Sequence, residues 1–269
     1  MDSLILLVVF VFGLVIGSFL NVVIFRLGTE DDIINSRSKC LACGHQLAWY
    51  DLFPVISFFS LSGKCRYCRK KISWQYPLVE IATGALFVAL FYTVFFGYNF
   101  VFLNVFNFLS LLFIFSALVV IFVFDLKQYI IPDEVIFPAI AVAFLALMVK
   151  VIFSSSVLDF SLFANFFGAA LLAGGFFLFL VVVTRGEGMG GGDVKLGFLM
   201  GLVLGFPKIL LALFFAFISG ALVGVFLMAL GKKKMKSMLP FGPFLICGFL
   251  LSFFWGSEII SWYWEKFLF

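Results

Sequence analysis

Long apolar stretches alternate with short polar segments over almost the whole chain. Seven stretches approach or exceed the roughly 20 residues that a helix needs to cross a bilayer core of about 30 Å. They cover residues 4–25, 78–96, 101–124, 135–153, 162–184, 209–230 and 243–262. This pattern predicts a bundle of transmembrane helices.

An eighth apolar stretch, residues 194–206, is shorter than the others. As a helix it would rise only about 20 Å, which is too short to cross a bilayer unaided. Two arrangements fit this length: a helix that begins below the membrane surface, or a re-entrant pair with the next stretch. Both return the chain to the same side at Gly231. The sequence therefore predicts an all-α polytopic membrane protein with about eight transmembrane segments.

The composition excludes several other classes of protein. Hydrophobic residues make up 64% of the chain and charged residues 12%, whereas a soluble domain carries about 25% charged residues. The mean hydropathy is +1.22. A soluble globular protein, a disordered tail and a nucleic-acid binder are therefore excluded. The N-terminal stretch has an acid at Asp2, no basic region before it and no small-residue cleavage site, which indicates a retained helix rather than a signal peptide.

The basic residues predict the orientation in the membrane. One set of loops contains 15 of the 18 lysines and arginines, and the opposite set contains only Lys150, Lys208 and Lys266. Cytoplasmic loops carry such an excess, so the N-terminus is expected outside. The end of the last stretch has the residues of an outer aromatic belt: Trp255, Trp262, Tyr263 and Trp264.

A polar loop at residues 26–77 separates the first two apolar stretches, which predicts three regions: residues 1–25, 26–77 and 78–269. The loop contains two C-x-x-C pairs separated by 21 residues: Cys40, Cys43, Cys65 and Cys68. This spacing is typical of a structural zinc site in a small zinc-ribbon-like domain. A reducing cytoplasm argues against disulfides, while a redox dithiol or unligated cysteines remain alternatives. His45 is expected to be a surface residue.

Two aspartates lie at predicted helix ends on the cytoplasmic side. Asp125 ends the third stretch, and Asp193 follows a run of glycines that includes Gly190 and Gly192. Two close carboxyl groups can share a proton and act as an aspartyl dyad. The glycines would allow unusual backbone conformations, and Lys195 would tune the charge of Asp193 or anchor the interface. The alternative interpretation is that Asp193 only caps the next helix.

Asp133 and Glu134 compete with Asp125 for the first position of the dyad. Both follow Pro132 and are typical of the first turn of a helix.

Six motifs follow one another along the chain: GSFLNVVIFRL (residues 17–27), the paired C-x-x-C loop, YPLVE (76–80), DLKQYIIPD (125–133), GMGGGDVKL (188–196) and LPFGPF (239–244). In this order they resemble the bacterial type IV prepilin peptidases. The resemblance spans nearly the whole chain, although Leu41 replaces the proline that usually follows the first cysteine.

The resemblance implies a function and a set of site residues. Asp125 and Asp193 would be the catalytic aspartates, the four cysteines would bind structural Zn²⁺, and Gly63 and Lys64 would take part in methyl transfer. The family removes a short basic leader after glycine at the cytoplasmic face. It then methylates the new N-terminal residue, usually Phe, with S-adenosylmethionine as donor.

The same resemblance implies a place and partners for the chain. The place would be the bacterial inner membrane, with multiple passes and the active site at the cytoplasmic face. The partners would be prepilins or pseudopilins, the lipid bilayer, and the type IV pilus or type II secretion machinery, with no nucleic acid.

Other functions make different predictions. An intramembrane GxGD protease of the presenilin or signal-peptide-peptidase kind, without methyltransferase activity, would place both aspartates deep within long spans and has no use for the cysteine loop. An archaeal preflagellin peptidase usually lacks that loop. An ion transporter or metal-sensing scaffold would need paired acids in two symmetry-related halves, and the sequence contains no visible repeat of this kind.

Overall fold

Seven of the predicted apolar stretches form helices that are long and apolar enough to cross a membrane. A computed structural model describes residues 3–28, 37–95, 101–153, 160–186, 189–231 and 239–267. Within these ranges there are nine α-helices, one 3₁₀ turn and two isolated β-bridges. The helices are α1 (Ser3–Arg26), α2 (Ile56–Ser60), α3 (Gln75–Phe95), α4 (Phe102–Gln128), α5 (Asp133–Phe153), α6 (Phe160–Val183), α7 (Gly191–Leu204), α8 (Lys208–Ala229) and α9 (Gly242–Phe267).

The predicted all-α polytopic fold is confirmed, and α7 is the short eighth stretch. The helix ends lie within a few residues of the predicted ends, with one difference that matters for the site. α4 continues to Gln128, so Asp125 lies inside the last turn of the helix rather than after it. Asp133 and Glu134 are in the first turn of α5, as predicted.

The chain divides into two compact units, Met1–Val120 and Ile121–Phe269. In the first unit α1 packs against α3. A Cβ at Gly13 would lie 2.6 Å from the Cα of Gly84, so the two backbones are in direct contact. Small residues allow this close approach between helices in membranes.

The division into three regions, residues 1–25, 26–77 and 78–269, stays a prediction.

In the second unit the short helix α7 lies in the centre and contacts α5, α6, α8 and α9. It runs antiparallel to α6: a Cβ at Gly201 would lie 2.3 Å from the Cα of Ala170, and a Cβ at Gly174 would lie 3.6 Å from the carbonyl oxygen of Val194. The two contacts place the first residue of α7 about 5–9 Å short of the end of α6. The contacts therefore favour the first predicted arrangement, a helix that begins below the membrane surface.

The turn after α7 is also fixed to α6. The N–H of Phe206 donates to the Oδ1 of Asn165 over 2.9 Å. Gly205 has a φ of +66°, and a Cβ there would lie 2.6 Å from the same oxygen. Only glycine suits this position, so α7 ends where α6 provides a polar partner for the free backbone.

The contact between α6 and α7 predicts a difference between two glycine substitutions. Gly201→Ala would push a methyl group into the backbone at Ala170, whereas a Cβ at Gly175 in α6 meets nothing within 4 Å. We expect Gly201→Ala to lower the free energy of unfolding by about 1–3 kcal/mol and Gly175→Ala to leave it unchanged or higher. Unfolding in mixed micelles measures both. Equal stability of the two variants would contradict the described packing.

Candidate active site and metal centre

Asp125 is a buried carboxyl group held by the N-terminus of another helix. Its side chain is only 4% exposed. Its Oδ2 accepts a hydrogen bond of 3.0 Å from the N–H of Gly242, the first residue of α9, whose N–H has no partner within its own helix. A Cβ at Gly242 would lie 2.6 Å from this oxygen. Glycine at this position therefore lets the carboxylate approach the backbone of α9.

Asp193 is held by the loop that precedes its own helix. It is the third residue of α7 and is 9% exposed. Its Oδ2 accepts the N–H of Gly190, the N-cap residue, over 3.3 Å. Asp193 therefore makes a helix-capping contact, as the alternative interpretation of the motif expected, but it is also buried among the helices of the second unit.

The second unit brings these two aspartates together. A Cβ at Gly192 would lie 2.9 Å from the Cβ of Ile131, so the start of α7 touches the segment that follows α4. The negative charge of Asp125 acts on the carboxyl group of Asp193. Two buried carboxyl groups that interact in this way favour the state in which one is ionised and the other is protonated.

Asp133, the competing candidate, has a different environment. Its carboxylate is 56% exposed and forms an ion pair of 2.5 Å with the Nζ of Lys195, which also lies 4.8 Å from the ring centre of Phe137. Glu134 is exposed as well. Lys195 thus joins α7 to α5 at the surface, and the buried acid near Asp193 is Asp125.

The four loop cysteines form a separate centre in the first unit. Their sulfur atoms all lie within 4.8 Å of one another, and the Sγ atoms of Cys40 and Cys68 are 3.9 Å apart. Sulfur atoms bound tetrahedrally at about 2.3 Å from a metal ion are about 3.8 Å apart. The four sulfurs are therefore spaced to hold a metal ion. The ring of His45 lies against that of Tyr67, tilted by 37°, and His45 is not one of the four donors.

Each cysteine pair lies in a turn of the same construction. The N–H of Gly44 donates to the carbonyl of Cys40, and the N–H of Arg69 donates to the carbonyl of Cys65. Gly44 and Arg69 both have positive φ, 72° and 60°. An isolated β-bridge closes each turn, Lys39 with Gln46 and Lys64 with Lys71. Two equivalent turns therefore present two thiols each from opposite sides.

Electrostatics favour a thiolate at Cys40 and disfavour one at Cys68. The backbone N–H groups of Ala42 and Cys43 lower the pKa of the Cys40 thiol to about 7, although burial opposes this. At Cys68 the N–H of Lys70 also lowers the pKa, but burial and the neighbouring thiols outweigh it and raise the pKa to about 11. The thiols therefore compete for one negative charge, and a bound cation would relieve that competition.

Asp51 holds the second cysteine turn through its two central residues. It accepts hydrogen bonds from the Nε of Arg66 over 2.8 Å and from the hydroxyl of Tyr67 over 3.1 Å. The backbone N–H of Ala48 donates to it as well. Burial raises the pKa of Asp51, but these donors outweigh burial and the net pKa lies below its ordinary value.

Comparisons with known proteins agree over most of the chain. The bacterial peptidase A24 N-terminal domain matches residues 11–94, and the type IV leader peptidase family matches residues 112–225. A prepilin leader peptidase/N-methyltransferase of Bacillus subtilis (strain 168) is 35% identical over 95% of this chain and 96% of its own length. The chain belongs to the bacterial type IV leader peptidase family.

Other members of the type IV leader peptidase family match over similar lengths. Prepilin leader peptidase/N-methyltransferases of Pseudomonas putida and Pseudomonas aeruginosa are 31% and 30% identical, over 93% of this chain in both comparisons and over 91% and 90% of their own lengths. No solved structure matches the chain. The family and the apolar helices together make the chain a multi-pass protein of the bacterial inner membrane.

In this leader-peptidase chain, the residues predicted for methyl transfer lie beside the cysteine centre. Gly63 has a φ of +65° and its Cβ would lie 3.1 Å from the ring of Phe58. Lys64 follows it and directly precedes Cys65. Glycine is thus required by the turn itself, which gives Gly63 a structural role in addition to any role in chemistry.

Sequence reasoning missed Gly242 and Asp51 as supporting residues. Gly242 lies in the LPFGPF motif, which carries part of the family resemblance but does not by itself indicate a contact with an aspartate. Its contact with Asp125 joins residues 117 positions apart, a separation that no local pattern reveals. Asp51 lies 15 residues before Arg66, its partner in the second cysteine turn, so no local pattern marks it either.

The contacts of Asp51 predict its effect on metal binding. Asp51→Ala would remove the ion pair with Arg66 and the bonds from Tyr67 and Ala48. We expect the affinity of the cysteine centre for Zn²⁺ to fall about 10-fold, since the groups that support metal ligands typically contribute this much. Competition with a chromophoric chelator measures the affinity.

Glu134→Ala provides the control, because Glu134 is an exposed acid in the other unit and its loss should leave the affinity unchanged. An Asp51→Ala protein with the affinity of the unaltered chain would show that Asp51 does not support the second cysteine turn.

Proposed function

We propose that this chain removes the leader of type IV prepilins or pseudopilins after glycine and then methylates the new N-terminal residue. The observation that carries the proposal is the pair of buried carboxyl groups at Asp125 and Asp193, each held by a backbone N–H. The names of the relatives, prepilin leader peptidase/N-methyltransferase, support both activities.

The two carboxyl groups suit peptide hydrolysis without a covalent intermediate. The ionised carboxylate takes a proton from water, which attacks the carbonyl carbon of the scissile glycine. The protonated carboxyl group donates a hydrogen bond to the carbonyl oxygen, on which negative charge develops. The carbon–nitrogen bond then breaks and the leaving amine receives a proton from the dyad. The N–H groups of Gly242 and Gly190 fix the two carboxyl groups for this exchange.

The proposed orientation places this chemistry at the cytoplasmic face, with the N-terminus outside. It rests on the excess of basic residues in one set of loops. Asp125 is three residues from the end of α4 and Asp193 is in the first turn of α7. A prepilin with its leader in the cytoplasm and its apolar helix in the bilayer would present its cleavage site at this level. The type IV pilus or type II secretion machinery would use the product.

The positions of the aspartates do not favour an intramembrane protease of the presenilin kind. That alternative needs both acids near the middle of long spans. Asp125 is in the last turn of its helix, and α7 is not among the seven helices long enough to cross a membrane. The presenilin-type alternative also gives the cysteine centre no function.

For the metal we propose structural Zn²⁺ on Cys40, Cys43, Cys65 and Cys68. The sulfur spacing and the two matched turns support a closed four-thiolate site, which would supply folding energy to a small domain. S-adenosylmethionine supplies an electrophilic methyl group when bound. We propose that Gly63 and Lys64, which this centre positions, take part in placing the amine that accepts it.

Replacing either dyad aspartate should reduce cleavage severely. Asp125→Asn and Asp193→Asn each remove the proton exchange of the dyad, and we expect a loss of about 100-fold or more. The assay follows leader removal from a model prepilin with a glycine–phenylalanine junction in membranes, and mass spectrometry identifies the product. Methyl transfer to an already cleaved pilin reports whether each variant is folded.

Asp133→Asn is the matched control and should keep most of the cleavage activity, since Asp133 is exposed and paired with Lys195. If Asp125→Asn still cleaves and Asp133→Asn does not, Asp133 is the first catalytic acid. If the unaltered chain does not cleave, the proposed function itself fails.

The support of the dyad by backbone contact predicts that alanine is harmful at two glycines, Gly192 and Gly242, and harmless at a third, Gly191. Gly192→Ala would force α7 away from Ile131, and Gly242→Ala would displace the carboxylate of Asp125. We expect cleavage to fall about 100-fold in each, since a displacement of about 1 Å has this effect. Gly191→Ala adds a methyl group with nothing within 4 Å and should cleave normally. The three initial rates test this; equal rates would mean that backbone contact does not position the dyad.

A further inference from the structure

The cytoplasmic loop contains a segment with no charged residue. Residues 52–63, between Asp51 and Lys64, read LFPVISFFSLSG and include the short helix α2. The two cysteine turns, which precede and follow this segment in the chain, carry the basic residues Lys39, Lys64, Arg66, Arg69, Lys70 and Lys71. The loop therefore has one polar, basic part and one apolar part.

Two contacts fix α2 beside the beginning of the spanning helix α3. The N–H of Val55, the N-cap residue of α2, donates to the Oε2 of Glu80 over 2.7 Å. Glu80 is the sixth residue of α3 and is itself buried against α1, where a Cβ at Gly17 would lie 2.7 Å from its Cα. The rings of Phe58 and Trp74 are 4.9 Å apart. α2 therefore lies at the level of the first turns of α3, where that helix enters the membrane.

The same segment is joined to the cysteine centre. Phe58 points inward and is buried, and a Cβ at Gly63 would lie 3.1 Å from its ring. The N–H of Gly63 donates to the carbonyl of Phe58, and the N–H of Ile72 donates to the carbonyl of Gly63. The depth of α2 relative to the membrane therefore also determines the depth of the cysteine turns.

The outward side of α2 is apolar and exposed. Ile56 is 69% exposed and Phe59 is 56% exposed, and the ring of Phe59 lies 6.1 Å from that of Trp74. Trp74, Leu78 and Ile81 follow at helical spacing, and all three are exposed. The exposed side of α2 is thus continuous with the side of α3 that faces lipid. An aqueous environment would leave this surface uncovered at a substantial cost.

We propose that α2 is an interfacial helix whose side chains at Ile56 and Phe59 insert into the headgroup and acyl-chain boundary of the bilayer. Interfacial helices bury their apolar side about 5–10 Å into this boundary, with tryptophan at the same level. Trp74 directly precedes α3 and fits this role. The loop is thereby attached to the membrane surface at α2, between the two cysteine turns, and at Trp74, after the second turn. This inference is independent of the proposed enzymatic function.

The leading alternative occupant of the exposed side is the apolar helix of a substrate protein. The continuity with α3 favours lipid, because a spanning helix is surrounded by lipid along this side whether or not a substrate is present. The two occupants also differ in an observable way: lipid covers Phe59 at all times, and a substrate covers it only when bound.

Tryptophan fluorescence in vesicles distinguishes these cases. One protein keeps only Trp74, with Trp49, Trp255, Trp262 and Trp264 changed to Phe. Two others also carry Trp74→Phe and then Phe59→Trp or, as the control, Leu41→Trp, because Leu41 is an equally apolar and 69% exposed residue of the first cysteine turn. Each full-length chain is reconstituted in phosphatidylcholine vesicles with bromine atoms near the top of the acyl chains.

We expect Trp74 and the Phe59→Trp probe to be quenched by the brominated lipid at least about twofold more than the Leu41→Trp probe, and to be shielded from acrylamide in water. Equal quenching at positions 59 and 41 would overturn the proposal. Acrylamide access at position 59 that is lost only after a prepilin is added would assign the surface to substrate instead. If the Phe59→Trp chain does not fold, Ile56→Trp in the same background provides the second probe of α2, because Ile56 is 69% exposed on that helix.

Discussion

Direct contact between helix backbones at small residues is the constraint on which the second unit depends. In a bilayer, apolar side chains gain little by leaving lipid for protein, so helices associate through close packing and hydrogen bonds. At Gly201 and Ala170 the backbones of α7 and α6 touch, and at Gly248 and Ala212 those of α9 and α8 do. These contacts hold a helix of only 14 residues in the centre of the unit, and they place Asp193 at a fixed depth.

The same principle operates around the carboxyl groups. Gly192 lets the start of α7 reach Ile131, and Gly242 lets Asp125 reach a free N–H of α9. Buried carboxyl groups are stable only with hydrogen-bond partners, and here the partners are backbone groups at two helix N-termini. The cysteine loop is stabilised differently. Among its described residues, 37–74, few side chains are buried, and two matched turns bring four sulfurs to metal-binding distance.

The parts of this structure that depend on local patterns could be predicted from the sequence. Apolar stretches located the seven long helices and the short length of α7, and the spacing of Cys40 to Cys68 located the cluster of sulfurs that could hold a metal ion. Contacts between distant residues could not be predicted. The bond from Gly242 to Asp125, the pair of Asp133 with Lys195, and the attachment of Val55 to Glu80 each depend on how helices pack. The loop was expected to be polar, but α2 has an apolar exterior.

The central claim is that Asp125 and Asp193 act as one unit that shares a proton. The most direct measurement is the pH dependence of kcat/KM for leader removal by the unaltered chain, in vesicles whose bilayer remains intact over the range. Sharing predicts a bell-shaped profile, because the rate falls when both groups are protonated and when both are ionised. A rate that rises with pH to a plateau, with no alkaline decline, would show a single essential base and would contradict the account.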